Sequence, residues 1–184
     1  MQIVRELTVD HGWDRVRMAE VAALAGVSRP TLYKEFGDKR GLGEALVLDE
    51  TERFLVGITE VLDGSTDNVA GAITAAVHYT LDEAESNPVL RAILTSARGD
   101  HDLLPALTTR SAPIVKTAGE ALTGWLAGRL PDLDPDDIAA GVDALVRLTV
   151  SHLVLPAAGH EQTANRLAQV ALRYLRVDTA PALR

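Results

Sequence analysis

The sequence predicts an all-α protein of about nine helices, and three observations predict it. Apolar residues recur at three- and four-residue spacing along most of the 184 residues. Hydrophobic residues make up 47%, with Ala and Leu dominating and aromatics at only 4%. The β-branched residues stand mostly singly inside those patterns instead of alternating as a strand requires. The length suits one large domain, or one small and one medium domain sharing a core.

The elements follow in order. A first helix over Gln2–Asp10 turns Val4 and Leu7 inward and stops at Gly12. A second over Met18–Leu24 buries Val21 and Ala22, and Ala25-Gly26-Val27 makes a tight turn. Ser28 caps a third helix, with Pro30 in its first turn, where a missing N–H costs nothing. That helix holds Leu32 and ends near Phe36-Gly37. Asp38 caps a long fourth helix to Leu62, with Leu42, Leu46, Phe54, Leu55, Ile58 and Leu62 as its apolar stripe. A fifth covers Asn68–Glu85 and is broken by Ser86-Asn87-Pro88; a short sixth runs through Ala97. The seventh runs over Leu104–Leu130, with Pro113 as a candidate kink. The eighth covers Asp136–Leu155, and the ninth follows Pro156–His160 and ends near Val177.

Charge is unevenly placed. The formal net charge is −8, yet Met1–Ala45 balances seven Lys/Arg against seven Asp/Glu, leaving the whole excess on the remainder. A neutral head on an acidic body fits a head that alone faces nucleic acid. The absence of cysteine excludes a disulfide framework and a Cys-based metal site, and makes a cytoplasmic address the default. No basic stretch followed by an apolar core opens the chain, so no secretory signal is expected. The most apolar window, from Ala144, contains Arg147 and His152 and reads as a buried helix, not a membrane span.

Two short helices joined by Ala-Gly-Val, the second opened by Ser28, form a helix-turn-helix pattern. Gly26 suits the turn because a positive φ costs it nothing. Val21, Ala22, Val27, Leu32 and Phe36 supply a small core, leaving Arg29, Pro30, Thr31, Tyr33 and Lys34 outward. A helix N-terminus with free N–H groups beside an Arg suits insertion in a major groove. Double-stranded DNA is therefore the expected partner.

The stretch "GWDRVRMAEVAALAGVSRPTLYKEFGDKRGL", Gly12–Leu42, resembles the signature of the tetracycline-repressor (TetR) family of bacterial transcription regulators. The matching positions are Gly12, Val21, Ala22, Ala25, Gly26, Val27, Ser28, Thr31, Leu32, Tyr33, Phe36, Lys39 and Leu42. The resemblance implies a DNA-binding domain over residues 1–45, and effector binding and dimerisation over 46–184. It implies base reading by Arg29 and Pro30, phosphate or sugar contacts by Thr31 and Tyr33, and backbone contacts by Lys34 and Lys39. The sequence departs from the family in places. Arg17 stands where a capping Thr is usual, and a phosphate contact is expected of it instead. Glu35 replaces a frequent aromatic or His and should repel DNA unless Lys39 or Arg15 neutralises it. Gly41 and Gly43 are expected to loosen the start of the fourth helix. The chain begins inside the family's usual first helix, so either it has no basic arm or the sequence is trimmed.

The family resemblance also implies a homodimer and a small effector, and the sequence offers candidate residues for each. The eighth helix is apolar nearly all round, so burial on every face is expected. Val146 and Val150 from it, with Leu167, Ala168, Ala171, Leu172 and Leu175 from the ninth, make a candidate two-fold interface. The alternative is packing of that stripe within its own chain. Candidate effector-lining residues are Phe54, Ile58, Val77, Thr80, Leu94, Leu104, Trp125, Leu145, Thr149 and His152. They hold no cluster of inward charge, which favours an apolar effector such as a fatty acid or acyl compound.

Enzyme chemistry is not visible. Gly-Val-Ser-Arg-Pro lacks the second Gly of a nucleophile elbow, and His-Glu-Gln-Thr-Ala lacks the second His of a zinc protease. No phosphate loop or paired carboxylate–histidine metal motif is present, so neither cofactor nor metal is expected. An activator, or a ligand-binding relative with weak DNA affinity, is the alternative to a repressor.

Overall fold

The computed structural model describes residues 1–65, 69–95 and 104–177, and the side chains of all of these except 92–95 and 104–115. Among the described residues there are nine α-helices and no strand. They are α1 (Gln2–His11), α2 (Met18–Leu24), α3 (Arg29–Phe36), α4 (Lys39–Gly64), α5 (Val69–Ser86), α6 (Pro88–Thr95), α7 (Leu104–Arg129), α8 (Pro135–Val154) and α9 (His160–Tyr174). A single 3-10 turn, Trp13–Arg15, unforeseen in the sequence, separates α1 from α2. α9 ends three residues before the expected Val177, and α7 is one helix through Pro113.

The boundaries have local causes. Gly12, Gly26 and Gly37 all take positive φ, and each closes a helix or turn of the first forty residues. Ser28 Oγ accepts from the Thr31 N–H at 3.2 Å, and Asp38 Oδ1 from the Gly41 N–H at 2.9 Å. Asn87 opens α6, its Oδ1 accepting from the Val89 and Leu90 N–H groups. Asp134 caps α8, with Pro135 in the first turn.

The chain divides into two compact units, Met1–Phe54 with Ala84–Ala112, and Leu55–Glu83 with Pro113–Arg184. In the first, Val4, Leu7, Val16, Met18, Val21, Ala22, Leu32, Leu42, Leu46 and Val47 are buried together with Val89 and Leu90 of α6. Val27 does not join this core: it is 40% exposed, although its N–H donates to the Ala22 carbonyl of α2 at 3.0 Å, while Phe36 is half-buried. The expectation that Gly41 and Gly43 loosen α4 is also corrected. A Cβ on Gly41 would lie 1.9 Å from the Phe36 carbonyl oxygen, and one on Gly43 would lie 2.7 Å from Trp13 Cζ2. Both glycines are required for close approach.

In the second unit Ile58, Leu62, Ile73, Val77 and Leu81 are buried, as are Leu122 and Leu126 of α7. α8 packs on α9, burying Ile138, Gly141, Val142, Leu145, Thr149 and Leu153 against Thr163, Ala164, Leu167, Ala168, Ala171, Leu172 and Leu175. α8 is therefore not buried all round. Leu148 is exposed, and Val146 and Val150 are half-buried.

Gly41→Ala is expected to destabilise the protein by about 2–3 kcal/mol, since a backbone carbonyl cannot step aside. Gly124→Ala, mid-helix with nothing within 4 Å of the added Cβ, should stabilise it by about 0.5–1 kcal/mol. Chemical denaturation followed by circular dichroism measures both.

Candidate nucleic-acid interface

α3 is a short helix with one buried residue, Leu32, that anchors it. Of the residues that the sequence assigned to DNA, all but Lys39 lie outward. Arg17, Ser28, Arg29, Pro30, Thr31, Tyr33 and Lys34 are all exposed, and Tyr33 keeps 48% of its surface. Ser28 and Thr31 also share a hydroxyl hydrogen bond of 2.7 Å, which fixes the first turn. Arg17, Arg29 and Lys34 have no ion-pair partner among the described residues, so their charge is available to a polyanion. Glu35 is likewise exposed and unpaired among them; neither Lys39 nor Arg15 neutralises it.

Lys39 differs from the other cations. It is half-buried, and its Nζ donates to the Asp14 carbonyl oxygen at 3.0 Å. The ammonium stands 5.3 Å from the centroid of the Trp13 ring. Burial lowers its pKa from the ordinary lysine value; the Asp14 carboxylate opposes this and the Arg17 guanidinium adds to it. Trp13 was missed in the sequence. No local pattern pairs the indole with Gly43, thirty residues away; only the packed structure shows that the missing Cβ makes room for it. Arg40 is paired with Glu44 at 3.2 Å and contributes less free charge.

The arrangement is a short helix with an exposed N-terminal face, flanked by cations on two further elements. Two family models match the chain: bacterial regulatory proteins of the tetR family over residues 5–46, and the bacterial tetracyclin repressor C-terminal domain over residues 68–173. The chain belongs to the TetR family. It is thus a DNA-binding transcription regulator with a helix-turn-helix head. The HTH-type transcriptional regulator AlkX of Mycobacterium tuberculosis is 28% identical over 170 residues, 92% of this chain and 80% of that protein. The transcriptional activator FasR of Mycolicibacterium smegmatis is 36% identical over 80 residues, 44% of this chain and 36% of that protein. Among solved structures, the TetR family repressor AlkX of Dietzia sp. strain DQ12-45-1b, implicated in biodegradation of n-alkanes, superposes with TM-score 0.70 at 27% identity. It is matched over 95% of this chain and 94% of its own. A TetR-family regulator of Mesorhizobium loti shares the fold, with TM-score 0.71 at 18% identity and 96% and 93% of the two chains covered.

The effector candidates fall differently in this TetR-family chain. Phe54 is buried in the first unit; Ile58, Val77, Leu145 and Thr149 are buried in the second. Thr80 and Thr149 return their hydroxyls to the Ala76 and Leu145 carbonyls of their own helices. The side chains of Leu94 and Leu104 lie outside the described residues. Trp125 and His152 are half-buried, and their Nε1 and Nδ1 atoms are buried without a hydrogen-bond partner among the described residues. The Arg129 guanidinium stacks on the Trp125 ring at 3.7 Å.

Arg29→Ala is expected to relax sequence preference, by about 1–3 kcal/mol at the position it reads. Lys39→Ala should weaken binding to all duplexes alike and flatten the salt dependence by about one unit per protomer. Fluorescence anisotropy against a panel of duplexes at several salt concentrations separates the two.

Proposed function

We propose that the protein is a homodimeric repressor that holds a near-palindromic operator and leaves it when a small apolar effector binds. Residues 1–45 bind DNA, and 46–184 bind the effector and pair the subunits, in the cytoplasm. The observation that carries the DNA half is the exposed N-terminal face of α3, with Arg29 and Lys34 unpaired among the described residues. Arg29 and Pro30 read bases, while Thr31, Tyr33, Lys34, Lys39 and Arg17 hold the backbone. Two such heads must stand one helical turn apart, about 34–36 Å, which makes pairing part of recognition.

The burial pattern supports a different pairing surface from the stripe on α9. Leu167, Ala168, Ala171, Leu172 and Leu175 are spent inside their own chain, which is the alternative that the sequence left open. What α8 and α9 leave exposed is Leu148, Leu155, Val170 and Tyr174, with Leu155 76% exposed. Leu148 and Leu155 are seven residues apart on α8 and its C-terminal cap, and Val170 and Tyr174 four apart on α9. Each pair therefore shares a side of its helix. This apolar face is the one that we assign to the partner; Val146 and Val150, two residues either side of Leu148, stand on the opposite side of α8 and are not part of it.

The effector is taken to be a fatty acid, acyl compound or similar hydrocarbon-rich molecule. Support comes from the apolar side chains of Ile58, Val77 and Leu145, and from the unpartnered His152 Nδ1 and Trp125 Nε1, which suit a single polar end. The AlkX relatives lend support through the n-alkane connection of one of them. α4 carries Lys39 at its start and Ile58 near its end, and its 26 residues span about 39 Å. A shift in that helix is the route from effector to DNA. By linkage, operator DNA must weaken effector binding by the factor by which effector weakens DNA binding. The second reading is an activator, supported by the FasR match; the unneutralised Glu35 on α3 instead favours a ligand-binding member with weak DNA affinity. A reporter fused to the upstream DNA of its own gene separates repressor from activator by the sign of the response.

Two outcomes are expected. Leu148→Glu and Tyr174→Glu should give folded monomers in sedimentation velocity, whereas Ala168→Glu should lower the stability of the protomer itself. Monomers should lose tight operator binding. Long-chain fatty acids or their esters should release DNA in a gel shift, and His152→Leu should weaken that release about fivefold, the worth of one hydrogen bond near 1 kcal/mol. Release by a polar or cationic compound alone would end the lipid reading.

A further inference from the structure

We propose that Trp13 is a positioning residue for DNA binding: with the room that Gly43 leaves, it seats the Lys39 ammonium at a fixed place on the DNA-facing head. Three groups build this seat. The indole lies against α4 at Gly43, where an added Cβ would approach Cζ2 to 2.7 Å. The ring face is turned to Nζ at 5.3 Å from its centroid, a cation–π distance. The Asp14 carbonyl, next in the chain, accepts from the same Nζ at 3.0 Å. Both belong to the 3-10 turn that opens after Gly12, whose φ of 79° lets the chain leave α1 sharply.

The seat changes what this lysine can do. Arg17, Arg29 and Lys34 are exposed, and each must give up rotamer freedom when a phosphate is met. Lys39 has already lost much of that freedom. One of its three N–H groups is taken by Asp14, leaving two for an anion. Its lowered pKa records burial first, opposed by the Asp14 carboxylate and aided by the nearby Arg17 charge, so the ammonium is partly stripped of water between an acid and a second cation. An anion can meet the remaining Nζ donors and the Arg17 charge together. A backbone phosphate is the anion that the exposed face of α3 would bring. Trp13 touches no base in this scheme; it acts through Lys39.

The test uses full-length protein and a mixed-sequence 30-base-pair duplex, because phosphate contacts dominate non-specific binding and set its salt slope. Trp13→Leu and Gly43→Ala should each flatten the slope by about one unit per protomer, as Lys39→Ala does. Trp13→Phe keeps a ring face and should retain the slope. The double variant Trp13→Leu, Lys39→Ala should lose no more than either alone. Gly43→Ala displaces the ring without removing it, so it answers the question if Trp13→Leu fails to fold. A second readout is the titration of the Lys39 ε-methylene by NMR, which should move up toward ordinary lysine in Trp13→Leu and stay low in Trp13→Phe. A wild-type slope in the variants at Trp13 and Gly43, full additivity in the double variant, or an unmoved Lys39 titration overturns the proposal. A wild-type slope in Lys39→Ala overturns it together with the phosphate reading of Lys39.

Discussion

One carboxylate in the first unit constrains most of what surrounds it. Glu50 of α4 is only 3% exposed, yet it is an acid. It accepts a hydrogen bond from Arg5 Nε of α1 and another from Asn87 Nδ2 at 2.6 Å. Arg5 also reaches Asp49, and Asn87 turns its other atom to the first N–H groups of α6. A buried charge is tolerated only when its partners are in place, and removing one partner from such a group costs about 3–5 kcal/mol. The three elements α1, α4 and α6 are thereby held to one relative placement. An apolar contact of equal area would permit sliding; this one does not. α1 in turn packs on α2, and α2 on α3, so the orientation of the DNA-reading helix is linked to that tie through α2.

The start of α4 works by the opposite means, through absence of side chains. Gly41 admits the Phe36 carbonyl and Gly43 admits the Trp13 ring. Helix propensity alone would count each as a cost of about 0.5–1 kcal/mol relative to alanine. The cost is accepted because α3 and the 3-10 turn both approach α4 more closely than a Cβ allows. Polar tie and bare backbone together fix the head from two sides, one at Glu50 and one at Trp13.

How much of this was legible in the sequence follows from the range of each interaction. Helix boundaries were legible within a few residues, because caps and stops such as Ser28, Asp38, Gly12 and Gly37 act over three or four positions. The outward face of α3 was legible for the same reason, since one buried Leu32 on eight residues determines the rest. Contacts between distant positions were not. Nothing in the local pattern joins Arg5 to Glu50, or Trp13 to Gly43, because both pairs exist only once the helices have packed. Val27 shows the limit of hydropathy within a motif: it is apolar and in register, and still the turn leaves it exposed.

The stripe on α9 shows why periodicity cannot name a partner. Ala164, Leu167, Ala168, Ala171, Leu172 and Leu175 form the same three-four pattern whether they meet α8 of their own chain or a helix of another. Small residues permit close approach in either case. The deciding observation is geometric. A Cβ on Gly141 of α8 would lie 3.0 Å from Leu175 Cδ2 and 3.1 Å from Tyr174 Cδ1, so α8 and α9 of one chain are already in close contact there. A stripe closed in this way has no surface left to offer. The side chains that the hairpin leaves large, apolar and open are Leu148, Leu155, Val170 and Tyr174, and the proposed pairing is drawn from these. Exposed single hydrophobic residues need no explanation, but repeats at seven- and four-residue spacing on two packed helices make a surface. A helix has two apolar jobs only if it has two apolar faces; in α9 the stripe that dominates its sequence is buried, and Val170 and Tyr174 are the apolar residues left outside it.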